Sequence, residues 1–219
     1  MDVPCPHAAL AALRAFALAP DYPCVMAAST LRMDQMTVRT YAGLGAGAAA
    51  DLTRDLSAFA AEPDPERGFR SFAAVFGGDT PADEDAFEAQ LWETLGAVHA
   101  ADHMAWDPAV SADPADAAFS FSVGGRAFYV IGMHPNASRP GRRFRWPALL
   151  FNAHDQFESL RREGRYDRVR GLIRDRDRAL AGSINPMMED FGTRSEARQY
   201  AGRAVPADWQ CPFHADRPD

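Results

Sequence analysis

An α+β fold is what this sequence predicts: an antiparallel sheet with a Gly-Gly hairpin, flanked by helices, in a single domain. Three observations predict it. Two strand-like runs, 119–123 and 126–133, meet at Gly124-Gly125, the two-residue signature of a tight hairpin. Other segments repeat apolar residues at helical spacing. The 219 residues, 47% hydrophobic and 24% charged, suit one globular core. The domain is expected to span 1–219, with 1–20 peripheral and the motif-dense part at 126–213.

The elements follow in order. Residues 7–18 place Leu10, Leu13 and Phe16 on one helical face, and Pro20 and Pro23 break that helix. A segment from Tyr22 to Met26 reads as the start of a strand, and 36–41 alternates as another. Residues 51–61 are helical through Leu52, Leu56 and Phe59. A proline- and acid-rich break at 62–66 leads to a strand over 69–76. The clearest helix is 80–99, with Thr80 as cap, Pro81 at its first position and Asp83, Glu84 and Asp85 at the positive end of its dipole. Its buried stripe is Phe87, Leu91, Leu95 and Val98. A proline and aspartate loop at 107–116 precedes the hairpin. An apolar strand covers 146–152, with Asn152 as a candidate cap for a helix over 155–163. A last helix spans 166–181 and stops at Gly182. The rest is irregular.

Composition excludes several chemistries. All 23 basic residues are arginine, so a Schiff-base lysine, a P-loop lysine and a lysine general base are ruled out. Such a bias is most simply the mark of a GC-rich genome. Three scattered cysteines make neither a disulfide framework nor a four-cysteine metal or iron–sulfur site. No window is long and apolar enough to span a membrane, and no N-terminal segment reads as a secretory leader. A cytoplasmic location without membrane association is the expectation. Net charge is −7, yet residues 1–125 hold 18 acids and 6 arginines, whereas 126–219 hold 12 acids and 17 arginines. The basic half can bind an anion. Nucleic acid is not expected, because those arginines alternate with acids.

The densest polar constellation is HPNASRPGRRF, residues 134–144. A histidine at a strand end, followed by Arg139, Arg142 and Arg143, suits a metal ligand beside an anion site. The alternative is a loop histidine with solvated arginines, and spacing alone does not separate the two. His154 reads as a capping or packing residue. Further clusters are 185–192, 195–203 and Trp209-Gln-Cys-Pro-Phe-His214. A Cys-Pro pair accompanies thiolate-ligated heme in some proteins, while a buried inert thiol is the plainer reading of Cys211 and Cys24.

Taken together, GMHPNASRPGRRF, PALLFNAHDQFESLR, RYDRVRGLIRDRD, GSINPMMEDFG, SEARQYAGR and WQCPF resemble the bacterial YqcI/YcgG family, and YPC at 22–24 fits too. Family members with a known role are heme-dependent N-hydroxylases of guanidine groups. They act on L-arginine or modified arginines in natural-product and antibiotic biosynthesis, D-cycloserine included. The resemblance therefore implies heme b, dioxygen, a small guanidine-bearing substrate and a separate electron donor, with a homodimer as the candidate assembly. A heme carrier or redox or gas sensor without turnover is the alternative. Under this reading Cys211 is the first candidate for the iron ligand and His134 the second, with His154 and Cys24 behind them. Arg139, Arg142 and Arg143 would hold the heme propionates. Glu189 or Glu196 would grip the guanidinium.

Overall fold

The computed structural model describes residues 2–215. Helices α1 (Pro6–Ala17) and α2 (Val25–Arg32) precede strand β1 (Met36–Tyr41). Helix α3 (Ala49–Ala61) connects β1 to β2 (Ser71–Phe76), and helix α4 (Glu84–Ala101) follows. Strands β3 (Phe121–Val123), β4 (Arg126–Met133) and β5 (Ala148–Ala153) lead into helices α5 (His154–Arg162) and α6 (Tyr166–Ala181). A single turn, α7 (Ala197–Tyr200), lies near the end. The architecture is α+β, built on one five-stranded sheet ordered β1-β2-β5-β4-β3. Among the described residues no helix is long and apolar enough to cross a membrane.

The sheet is mixed rather than wholly antiparallel. β1 and β2 run parallel, from Met36 opposite Ser71 to Tyr41 opposite Phe76, while the other neighbours are antiparallel. A parallel pair needs a crossover, and α3 supplies it. Val123 pairs with Arg126, and Gly124 and Gly125 both take positive φ, as a two-residue hairpin turn demands.

Every residue of β2 is buried because the sheet is covered on both faces. Phe72, Ala74 and Phe76 join the larger core with α3, α4 and the 197–213 segment. Ala73 and Val75 face the other way, onto Ala9 and Leu13 of α1. The segment expected at the periphery thus buries its helix against the sheet.

Local chemistry moved several boundaries. The expected strand at 22–26 is instead the entry to α2, where the Cys24 sulfur accepts a bond from Ala27 N at 3.4 Å. The α4 cap is Asp83, not Thr80: its carboxylate accepts from Ala86 N at 2.8 Å, satisfying a first-turn donor. Asn152 does not cap α5. It stays in β5, where its side-chain oxygen accepts from the Ser71 hydroxyl at 2.6 Å. Helix α6 ends at Gly182 with φ +74°, as its sequence predicts.

Gly132 marks the tightest approach between layers. A Cβ there would lie 2.7 Å from both the Phe87 ring and the Tyr200 carbonyl oxygen, and 2.9 Å from Leu91. Gly132→Ala is therefore expected to lower stability by about 1–3 kcal/mol through overpacking, read as a lower urea midpoint with an unchanged m-value.

Candidate functional site

Alternation in β4 sends Phe128 and Val130 into the larger core and Tyr129 and Ile131 to the opposite face. Asn152 stands opposite Tyr129 in the β4–β5 register. On this face the helices do not close fully, and a cavity of about 200 Å³ remains, open to solvent on one side. The entry to α2 forms one wall. Helices α5 and α6 form another, through a continuous α6 stripe of Tyr166, Val169, Ile173 and Asp177. The 185–199 segment completes the enclosure.

His154 is the histidine that lines this cavity. It sits where β5 turns directly into α5, and it is 7% exposed. Its ring packs 4.3 Å from the Phe191 ring, centroid to centroid, and its Nε2 lies 3.5 Å from Glu158 Oε1. Burial lowers its affinity for a proton more than Glu158 raises it, so the imidazole is neutral near pH 7. A neutral imidazole is the form that ligates a metal.

Glu196 lines the same cavity and is 4% exposed. One of its oxygens, Oε1, accepts from the Ser120 hydroxyl at 2.8 Å and from the Tyr200 hydroxyl at 2.5 Å. Burial pushes its carboxyl up to about 8, against the opposing pull of those two hydrogen bonds and of the more distant Arg161 charge. The other acids in the wall are already paired. Asp177 accepts from Arg139 at 2.7 Å and from Asn185 N at 2.7 Å. Burial alone would raise the Asp190 carboxyl, but Arg170 and Tyr166 hold it below its ordinary value. Glu189 lies 3.6 Å from Arg194 and its side chain is 30% exposed.

The expected residues separate accordingly. Glu189, Glu196, Arg139 and Arg142 line the cavity, whereas Arg143, His134 and Cys211 do not. Arg143 ties its own loop, donating to the carbonyls of Ala137 and Ser138. Arg142 donates to the carbonyls of Gly132 at 2.9 Å, Tyr200 at 3.3 Å and Gln199 at 3.3 Å. Arg139 is held by Asp177 and the Ser183 carbonyl. All three arginines thus direct donors at protein groups rather than into the cavity.

His134 is fully buried, stacked on Phe87 at 4.3 Å, and neither ring nitrogen has a partner among the described residues. Cys211 packs against the aromatic core, where burial pushes its thiol up to about 12. Among the causes of that shift there is no cation that would favour a thiolate. Cys24 does line the cavity, but its buried sulfur caps α2 and burial raises its thiol as well.

Sequence reading passed over Tyr129, Asn152, Gln199 and the α6 stripe. The α6 signal was present: Tyr166, Val169, Ile173 and Asp177 recur at helical spacing, with an acid inside the stripe. Tyr129 donates to Gln199 Oε1 at 2.7 Å, a link between β4 and α7 that no spacing reveals.

The model of the YqcI/YcgG family matches residues 13–214, nearly the whole chain. The chain belongs to this family. That span includes every cavity-lining residue named above. No curated protein and no solved structure matches the chain. Among the described residues no three histidine, cysteine or acidic side chains converge to hold a bare metal ion. The cavity sets a neutral imidazole beside apolar walls from Phe157, Leu160 and Ile173 and the arginines 161 and 170.

Two outcomes follow. Arg139→Met leaves Asp177 buried without its cation and is expected to cost about 3–5 kcal/mol in urea denaturation. Glu196 binds its proton more tightly folded than unfolded, because its pKa rises from 4.5 to about 8. Its contribution is complete below pH 4.5 and is lost as pH climbs through 8. Glu196→Gln should therefore flatten the decline in stability across that window, measured by denaturation at successive pH values.

Proposed function

We propose that this protein is a heme-dependent N-oxygenase that hydroxylates a guanidine nitrogen of L-arginine or a related small molecule, using dioxygen and electrons from a separate donor. The observation that carries the reading is that His154 and Glu196 line one cavity: a neutral nitrogen ligand and a buried carboxyl without a counter-ion. Membership of the YqcI/YcgG family is in keeping with it, because this chemistry is what the resemblance to that family implies.

In this reading His154, rather than Cys211 or His134, would hold the heme iron. Glu158, 3.5 Å from its Nε2, adds to the basicity of the ring. Heme, when bound, supplies dioxygen activation. Arg161 and Arg170 are the cations for its propionates, since their present partners, Glu158, Asp167 and Asp190, are themselves partly exposed and exchangeable. Glu196 receives the guanidinium in charge-assisted hydrogen bonds. Phe157, Leu160 and Ile173 restrict water, which would otherwise uncouple oxygen reduction from substrate oxidation.

The test is reconstitution with hemin followed by reduction under carbon monoxide. A stoichiometric Soret band with a histidine-type ferrous–carbonyl spectrum is expected. His154→Ala should abolish that spectrum, while His134→Ala and Cys211→Ala keep it. Turnover with reductant, dioxygen and L-arginine should give a hydroxyguanidine by mass spectrometry. A long-wavelength carbonyl band lost in Cys211→Ala would restore the thiolate assignment. Absence of heme uptake would overturn the oxygenase reading.

A further inference from the structure

A cation entering the cavity meets four acids in different states. Asp177 and Asp190 are bound by arginines 139 and 170, and Glu189 neighbours Arg194. Glu196 forms no ion pair among the described residues, although it is the most enclosed of these acids at 4% exposure. The groups that face it are Ser120 ahead of β3, Tyr200 on α7, Tyr129 on β4 and, at longer range, Arg161 on α5.

Its two oxygens are not equivalent. Both donors converge on Oε1, and the Tyr200 hydroxyl is itself oriented by accepting from Phe121 N at 3.0 Å. Oε2 receives no hydrogen bond among the described residues. The Tyr200 hydroxyl also lies 3.3 Å from the Phe128 carbonyl oxygen, to which it can donate instead, so this contact serves Glu196 in either protonation state. Introducing a cation without removing the carboxyl proton would bury a net charge, which is costly in a low-dielectric wall. Removing the proton without introducing a cation would do the same with the opposite sign.

We propose that Glu196 is an exchange site, at which the cationic head of a guanidine-type ligand replaces the carboxyl proton, one cation in for one proton out. The ligand class rests on the guanidine reading of this cavity, but the exchange requires no heme. The O–H bond of Glu196 breaks, its proton leaves to solvent through the open side, and the guanidinium seats on the resulting carboxylate. No electrons move. Burial of the unpaired carboxyl favours the protonated resting state up to a pH of about 8. Ligand capture is therefore linked to pH: below that value affinity should rise about tenfold per pH unit, and above it affinity should level off.

The experiment is isothermal titration of the full chain, with and without bound hemin, in phosphate and in Tris. L-Arginine is the cationic probe and L-citrulline its neutral counterpart. At pH 7 L-arginine should release close to one proton, and L-citrulline none. Glu196→Gln should abolish the release and weaken L-arginine binding about ten- to a hundredfold, the loss of a charged hydrogen bond. Ser120→Ala removes a donor that favours the carboxylate and should move the levelling-off to higher pH, so the proposal is tested even if Glu196→Gln folds poorly. Binding of L-arginine without proton release, release retained in Glu196→Gln, or no binding of L-arginine, agmatine or guanidinium would each overturn the exchange. Heme uptake without proton-linked binding would leave the cofactor assignment standing alone. Proton-linked binding without heme uptake would leave the exchange standing without the oxygenase.

Discussion

Arg142 gathers three backbone carbonyls, those of Gly132, Gln199 and Tyr200, around one guanidinium. Its own carbonyl accepts from His134 N at 3.1 Å and Phe144 N at 2.9 Å. One residue thus joins the end of β4, the loop after it and the α7 turn. The α7 turn is distant in sequence from the other two, and each piece contributes to the cavity wall. Gly202 is bare against this side chain, with a hypothetical Cβ only 3.3 Å from it. The C-terminal end of α7 is held twice: by Arg142 through the Gln199 and Tyr200 carbonyls, and by the Tyr200 hydroxyl through Phe121 N. A carbonyl left buried without a donor is expensive, so the tie is specific as well as strong.

The electrostatics of the cavity follow from which charges found partners during folding. Arg139 and Asp177 are both largely buried and neutralise each other, pinning α6 to the loop after β4. Arg170 pairs with Asp190 at a more exposed position. Arg142, by contrast, lines the cavity with its charge met by carbonyls rather than by a carboxylate. Glu196 has hydrogen bonds but no ion pair, so its charge state answers to whatever enters. The apolar wall that raises its pKa also excludes water from a ligand. The burial and the raised proton affinity of Glu196 thus share one cause, removal from solvent.

Two of the buried histidines, His134 and His154, show how position along a sheet sets a side chain's surroundings. His134 follows β4 and His154 follows β5, and these strands are antiparallel neighbours. Their C-terminal ends therefore lie at opposite ends of the strand pair. His134 is delivered against Phe87, with no space beside its ring nitrogens. His154 is delivered to the cavity, beside Glu158 and Phe191. Both look alike in sequence: each ends an apolar strand, and each is followed by polar residues. The arginines after His134 bind groups of the chain itself and hold its loop.

Much of the architecture was legible from residues alone. The α+β class, the Gly124-Gly125 turn, the helix stripes and the family motifs rest on local periodicity and local backbone preference, which sequence carries directly. Even the parallel β1–β2 pair left a trace, as a helix lying between two strands. Glu196, Glu189, Arg139 and Arg142 were named from motif density, and the structure places them at one cavity. What tertiary structure alone decided was convergence and state. Periodicity reports that a face is buried; it does not report what covers it. Whether an arginine meets solvent, a carboxylate or three carbonyls depends on segments brought together from distant parts of the chain. Whether a glutamate is charged depends on how much water those segments exclude.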